Sequence, residues 1–334
     1  GNFWGRTGGF PSCNIQYKLL KKAVSWAGLF FFALAAYMLY HQLSKYSLED
    51  IKNALLDIPH KNLFMAGLAS FGGYIALSSY DYLALRYIKR RVAIWKWVFA
   101  GFIGFSVSNN AGHAIVSGGT IRYRLYTRWR FRATEIVRMV TFSGFTYLVA
   151  CFFLIIVGYV LTPSQAIGAG TVSKLTTQIV TLLSFVGLLG YFGLSLFYKK
   201  PIDVKGVLLD MPSFPMALAQ MLLGAVDIVM ASLVLYFVLI PFVHIEFMTF
   251  MGVFIIAQVL GVFSQVPGGL GVFEGLFMFI IPGDNDRLML FGALIAYRII
   301  YYLLPLIVSA IALIGYETYL GVRRRKMLEE IVKK

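Results

Sequence analysis

Residues 97–117, WVFAGFIGFSVSNNAGHAIVS, are long enough to cross a bilayer, yet they carry Asn109, Asn110, His113 and several serines. A straight span would turn those groups toward hydrocarbon, where an unsatisfied polar group costs several kcal/mol. A second stretch, 247–281, FMTFMGVFIIAQVLGVFSQVPGGLGVFEGLFMFII, is too long for one span and is cut by Pro267, Gly268, Gly269, Leu270 and Gly271. Both therefore read as helical hairpins that return to the side they entered from. That reading decides the fold.

The rest of the chain supplies the surroundings. Of 334 residues, 59% are apolar and 13% charged, about half the usual charged share. A soluble globule could neither bury that much apolar side chain nor cover the remainder. Alternating strands of a barrel are absent, so the spanning elements are helices. Besides the two broken stretches, apolar segments run over 23–43, 62–84, 136–160, 178–198, 215–240 and 288–315, close to the ~20 residues that cross a bilayer. The stretch 47–58 reads as a short amphipathic surface helix.

The distribution of Lys and Arg tests the hairpin reading, because cytoplasmic loops are enriched in them. If all eight segments spanned, with the N-terminus inside, 16 basic residues would face the cytoplasm and 12 the outside. With 97–117 and 247–281 re-entrant, the split becomes 23 against 5. The expected protein is thus an all-α integral membrane protein with six full spans and two re-entrant hairpins, both termini cytoplasmic. Its parts are a tail at 1–22, a half at 23–160, a half at 161–315 and a basic tail at 316–334. The second half repeats the first with inverted topology. Faint echoes accompany the symmetry: GFSVSNNAGHAIVSGG against GVFSQVPGGLGVFEG, and RYRLY against YRIIYY. Inverted repeats with broken helices are a transporter signature.

The net charge of +15 is read as an orientation signal against anionic lipid, not as a nucleic-acid surface. Cys13 and Cys151 form no framework, His113 has no second ligand in register, and neither a cleavable signal nor a nucleotide-binding loop is present. No metal, cofactor or catalytic cluster is expected. Charges within apolar segments are costly and mark pathways or internal pairs. Asp227 lies mid-segment, Arg298 well inside its segment, Glu274 just past the Pro-Gly-Gly break, and Asp81 and Arg138 nearer the cytoplasmic ends. In the run from Gly118 and Gly119 to Arg132, Arg122 and Arg124 are the candidates for holding a lipid phosphate, since planar guanidinium forks suit phosphate. Arg128, Arg130 and Arg132 read as topology determinants. Asn109, Asn110, Gly118, Gly119, Pro267, Gly268, Gly269 and Gly271 are the candidate hinge and cavity-lining positions.

RYRLYTR after a Gly-Gly turn, VPGGLGVFEGLF and AYRIIYYLLPLI, in that order, resemble the lysylphosphatidylglycerol synthase transmembrane-region family over roughly residues 20–320. That family takes in the flippase half of MprF-type proteins and stand-alone YbhN-like inner-membrane proteins. The resemblance implies a lipid translocator of the bacterial cytoplasmic membrane, often dimeric, with membrane lipids as partners and a lipid-modifying enzyme as a separate one. Because the chain reaches only Lys334, no aminoacyltransferase domain of the MprF kind is expected. The expected substrate is an anionic phospholipid or an aminoacyl- or glyco-modified lipid. Its phosphate would sit near Arg122, Arg124 or Arg298, and its cationic or hydroxyl part near Asp81, Asp227 or Glu274. Transport would be downhill or ion-coupled, with Glu274 as a candidate proton carrier. Two other classes stay open: a membrane-embedded lipid-modifying enzyme, and an assembly partner in which the charges are internal locks.

Overall fold

The computed structural model describes residues 48–111, 114–161, 174–198, 200–204, 207–264, 266–281 and 287–332. The tail 1–22 with Cys13, the expected span 23–43, and His113 lie outside the described residues. Within them the regular structure is helical apart from one small strand pair.

Helix α1 (Leu48–Leu56) is followed by α2 (His60–Tyr87), α3 (Ile94–Ala111), α4 (Ala114–Arg128), α5 (Ala133–Leu161) and α6 (Lys174–Phe197). Two short antiparallel strands, β1 (Ile202–Val204) and β2 (Val207–Leu209), lead to α7 (Phe214–Leu239). Then come α8 (Phe247–Phe263), a 3-10 turn at Pro267–Gly269, α9 (Val272–Ile280), α10 (Arg287–Tyr297), a π-turn at Arg298–Leu303 and α11 (Leu304–Val332). Among the described residues five helical stretches are long and apolar enough to cross a membrane: α2, α5, α6, α7 and Arg287–Arg323.

The centre is the antiparallel pair α2 and α7. The Asn62 amide near the start of α2 donates to Phe237 O near the end of α7 (2.7 Å), and Tyr80 near the end of α2 donates to Asp227 at the middle of α7 (2.9 Å). Lipid is as apolar as leucine, so helices in a bilayer associate through close packing and polar contacts rather than by escaping water. The sequence of α2 reflects this: Ala66, Ala69, Ser70, Gly73, Ala76, Tyr80 and Ala84 form a buried stripe of mostly small residues at helical spacing. Helix α7 presents Ala217, Gly224, Ala231 and Ser232 in the same way. Helix α6 is peripheral, with only Thr177 and Ser184 buried. The Tyr191 hydroxyl ties it to Gln220 of α7 (2.5 Å), whose amide reaches Thr146 Oγ1 (2.9 Å) on α5.

Both broken stretches fold back on themselves. Trp95 packs against Trp129 (5.7 Å between ring centroids) and the Arg122 guanidinium lies over Phe105 (4.2 Å), so α3 and α4 run antiparallel with their outer ends together. Gly118 makes the close approach possible: a Cβ there would fall 1.8 Å from Ser108 Oγ and 2.9 Å from Gly104 O. In the second pair Phe250 meets Phe277 (5.7 Å) and Phe254 meets Phe273 (5.6 Å), so α8 and α9 are likewise antiparallel. Neither α8 nor α9, at 17 and 9 residues, reaches the ~20 residues a crossing requires.

One expectation changes. The sequence reads the arginine run 118–132 as a connection following the hairpin, but Gly118 to Arg128 belong to α4, the hairpin's second leg. The reason lies in helical spacing. Gly118, Arg122, Leu125 and Tyr126 fall on one buried stripe, while Tyr123, Arg124 and Arg128 face outward.

Candidate functional site

Two buried charge centres flank the hairpins. The first is built on α2 and α4. Arg122 Nε lies 2.9 and 3.2 Å from the two oxygens of Asp81, and Tyr126 donates to Asp81 Oδ2 (3.0 Å). The guanidinium is 4 % exposed and Asp81 1 %, so this charge pair sits out of solvent among Phe105, Gly104 and Gly118. Among the described residues the outer nitrogen Arg122 Nη2 has no hydrogen-bond partner, and neither has Asp227 Oδ1.

Arg122 and Asp227 line one cavity of about 290 Å³. Its walls come from α2 (Leu77, Tyr80), from α3 (Phe105, Ser108, Asn109), from α5 (Val140, Ser143, Tyr147), from α8 (Phe254, Gln258) and from Tyr301 of the π-turn. The volume is near the low end of small-ligand pockets, roughly 300–1,000 Å³. Mostly apolar walls with a few aimed polar groups are the usual anatomy of such a site.

The second centre lies at the hairpin tips. Arg298 Nε lies 2.6 Å from Glu274 Oε1, and its Nη1 donates to Gly268 O. The guanidinium also stacks over Tyr302 (4.6 Å) and Phe273 (5.5 Å). The other oxygen of Glu274 accepts from Gly271 N–H (2.7 Å) and so caps the start of α9. Gly268 has φ of 61°, a left-handed conformation that glycine adopts without steric cost. Its α-carbon faces the carbonyl oxygens of Asn109 and Asn110, so the two hairpin tips touch.

The π-turn has a sequence cause. Pro305 has no N–H, so the carbonyls of Ile300 and Tyr301 lose their donor for i→i+5 and i→i+4 bonding. Side chains from elsewhere replace it: Ser70 donates to Ile300 O (3.2 Å), Tyr74 to Tyr301 O (3.0 Å), and Asn110 to the neighbouring Tyr302 O (3.1 Å).

The predicted site residues therefore separate. Arg122, Asp227 and Asn109 share the cavity; Asp81 stands behind Arg122 as its partner. Arg298, Glu274, Gly268, Gly269 and Gly271 belong to the tip centre with Asn110, and the Pro267 backbone opens its 3-10 turn. Gly118 is the close-packing position, while Gly119 is only partly buried, beside Val140. Arg124 is turned outward and pairs with Glu317 (3.1 Å), as does Arg128 (2.8 Å). Arg138 pairs with Asp210 and lies over Tyr87. Sequence reading missed Tyr80, Tyr126, Tyr147 and Tyr301. A signal existed for two of them, since Tyr80 and Tyr126 fall on the buried stripes of α2 and α4.

Comparison with known proteins places the chain. The protein slr0712 of Synechocystis is 31% identical over 92% of this chain and 96% of its own length. The chain belongs to the YbhN-like family. The inner membrane protein YbhN of Escherichia coli is 26% identical, over 91% of this YbhN-like chain and 94% of its own length. Phosphatidylglycerol lysyltransferase of Staphylococcus aureus strain MRSA252 is also 26% identical, over 89% of the chain but only 34% of the lysyltransferase. No family model matches. The YbhN-like chain is thus a helical membrane protein with relatives among lipid-modifying proteins.

Proposed function

We propose that this protein translocates phospholipid across the cytoplasmic membrane, binding the headgroup in the cavity between Arg122 and Asp227 while the acyl chains stay in the bilayer. The observation that carries this reading is that Arg122 and Asp227 line one cavity and that each has a buried polar atom, Nη2 and Oδ1, without a hydrogen-bond partner among the described residues. Buried polar atoms are ordinarily satisfied, and an exception calls for an explanation. A ligand that brings an acceptor to one and a donor to the other would supply it. A phosphate suits the guanidinium; a headgroup ammonium or hydroxyl suits the carboxylate. The relationship to a phosphatidylglycerol lysyltransferase supports a lipid as the ligand.

In this reading the α3–α4 and α8–α9 pairs are re-entrant, in two inverted halves, with the basic residues at the ends of α2, α4 and α5 facing the cytoplasm. Broken helices bordering a cavity that is lined by the charged Arg122 and Asp227 support that arrangement. The tip contact between Gly268 and Asn109–Asn110 would be the gate. Both oxygens of Glu274 are engaged, by Arg298 and by Gly271 N–H, so Asp227 rather than Glu274 is the carboxylate free to meet a coupling ion.

The test is reconstitution of the full chain in liposomes carrying fluorescent phospholipids. Asp227→Asn, and Arg122→Gln combined with Asp81→Asn so that no buried charge is stranded, should each slow translocation at least tenfold while the protein still inserts. Wild-type rates in both variants would overturn the assignment, and conversion of the lipid to a new product would favour a lipid-modifying enzyme.

A further inference from the structure

We propose that the cleft where α2 hands over to α3 is a second lipid site, separate from the central cavity, which holds the phosphate of an anionic phospholipid at the membrane surface. The cleft has a volume of about 500 Å³. Its inner wall is apolar and aromatic: Leu85 is buried, and the rings of Tyr82 and Trp97 meet at 5.4 Å. Its rim is cationic, formed by Arg86, Lys89, Arg90 and Arg91, all exposed.

The backbone gathers those cations. Arg90 N–H bonds to Leu85 O (2.9 Å) and Lys89 N–H to Arg86 O (3.1 Å), ending α2 in a Schellman turn. The left-handed position of that turn ordinarily takes glycine, but here it is Lys89 with φ of 58°. The chain thus accepts an unfavourable backbone conformation and keeps a cation there. Arg90 is already engaged: it lies 3.5 Å from Glu135, donates to Arg130 O (3.1 Å) and covers Phe131 (4.5 Å). Arg86 is steadied by the Tyr82 hydroxyl (3.2 Å). Among the described residues Arg86, Lys89 and Arg91 have no carboxylate partner.

Phosphate chemistry could come from a lipid or from a soluble anion. The surroundings favour lipid. Ile94 and Trp95 beside the cleft are 71 % and 51 % exposed, and Tyr82 and Trp97 are the amphipathic rings that sit at headgroup level. Clustered cations next to a span are the usual recognition element for anionic lipid. The inference uses the membrane reading of the spans but not the translocation reading.

The experiment is native mass spectrometry of the full chain in detergent, titrated with phosphatidylglycerol, phosphatidylcholine, inorganic phosphate or glycerol 3-phosphate. Phosphatidylglycerol should be retained in preference to phosphatidylcholine. Arg86→Gln, Lys89→Gln and Arg91→Gln should each weaken retention about fivefold, and the exposed Arg323→Gln should not. Lys89→Gly removes a cation while relieving the turn, so it should keep the fold and still lose about fivefold. Undiminished retention in Lys89→Gly and in the triple glutamine variant would overturn the site. Saturation by glycerol 3-phosphate as readily as by phosphatidylglycerol would make it a soluble-anion site. Liposomes showing no translocation, with retention intact, would count against the proposed function and leave this site standing.

Discussion

Arg122 and Asp81 meet at 2.9 Å with both side chains almost wholly out of solvent, and Tyr126 closes the far side of the carboxylate. Neither charge can be removed alone without stranding the other. Breaking a buried pair on one side costs about 3–5 kcal/mol, whereas replacing both members by apolar groups is often close to neutral. Asp81→Ala should therefore lower thermal stability in detergent sharply, and Asp81→Ala combined with Arg122→Met should recover most of the loss. Equal loss in the single and double variants would show that the pair is not coupled.

Gly118 should tolerate no side chain. Alanine there puts a Cβ 1.8 Å from Ser108 Oγ and 2.9 Å from Gly104 O, so the legs of the α3–α4 hairpin must part. Overpacking of this kind costs about 1–3 kcal/mol. The melting temperature of Gly118→Ala should fall, with Ser108→Ala restoring only part of it because the Gly104 carbonyl remains. An unchanged melting temperature would contradict the observed approach.

Arg298 holds the second tip through two directions of one guanidinium, to Glu274 and to the Gly268 carbonyl. Lysine keeps the charge but lacks the planar fork. Hydrogen exchange of the backbone amides over 268–271 should accelerate about tenfold in Arg298→Lys, a loss of roughly 1.4 kcal/mol in local opening free energy. Exchange at the wild-type rate would mean that the tip is held by packing alone.

Pro305 and Tyr74 should be coupled. In the native chain Tyr74→Phe strands the Tyr301 carbonyl and should cost about 1–3 kcal/mol. In a Pro305→Ala background the new N–H at 305 can serve that carbonyl, and Tyr74→Phe should cost much less. A double-mutant cycle in thermal denaturation measures the difference; additive effects would separate the proline from the π-turn.

Much of the architecture was legible because membrane physics is severe and local. A chain with 59% apolar residues must span as helices, and the polar run at Asn109–Asn110 and the Pro-Gly-Gly break marked both places where helices fold back. The site was legible only in outline. Among the described residues Arg122 and Arg298, one from each segment of the RYRLY and YRIIYY echo, are largely withdrawn from solvent, each ion-paired and each over an aromatic ring. Arg124, two residues further on, looked equivalent in a linear reading. At 100° per residue it is turned well away from Arg122, so it reaches Glu317 on α11 instead.

The sequence by itself determined what depends on composition and near neighbours: a helical membrane protein, its long apolar helices, its two fold-back points and the gathering of cations at helix ends. Only the tertiary structure decided which charges are partners. Asp81 is 41 residues from Arg122, and Glu274 is 24 from Arg298. Tyr80 is 147 residues from the Asp227 it bonds. Such pairings follow from which helices lie side by side. The small-residue stripes of α2 and α7 and the glycines at the hairpins allow the close packing, but a stripe at helical spacing does not say which helix it meets.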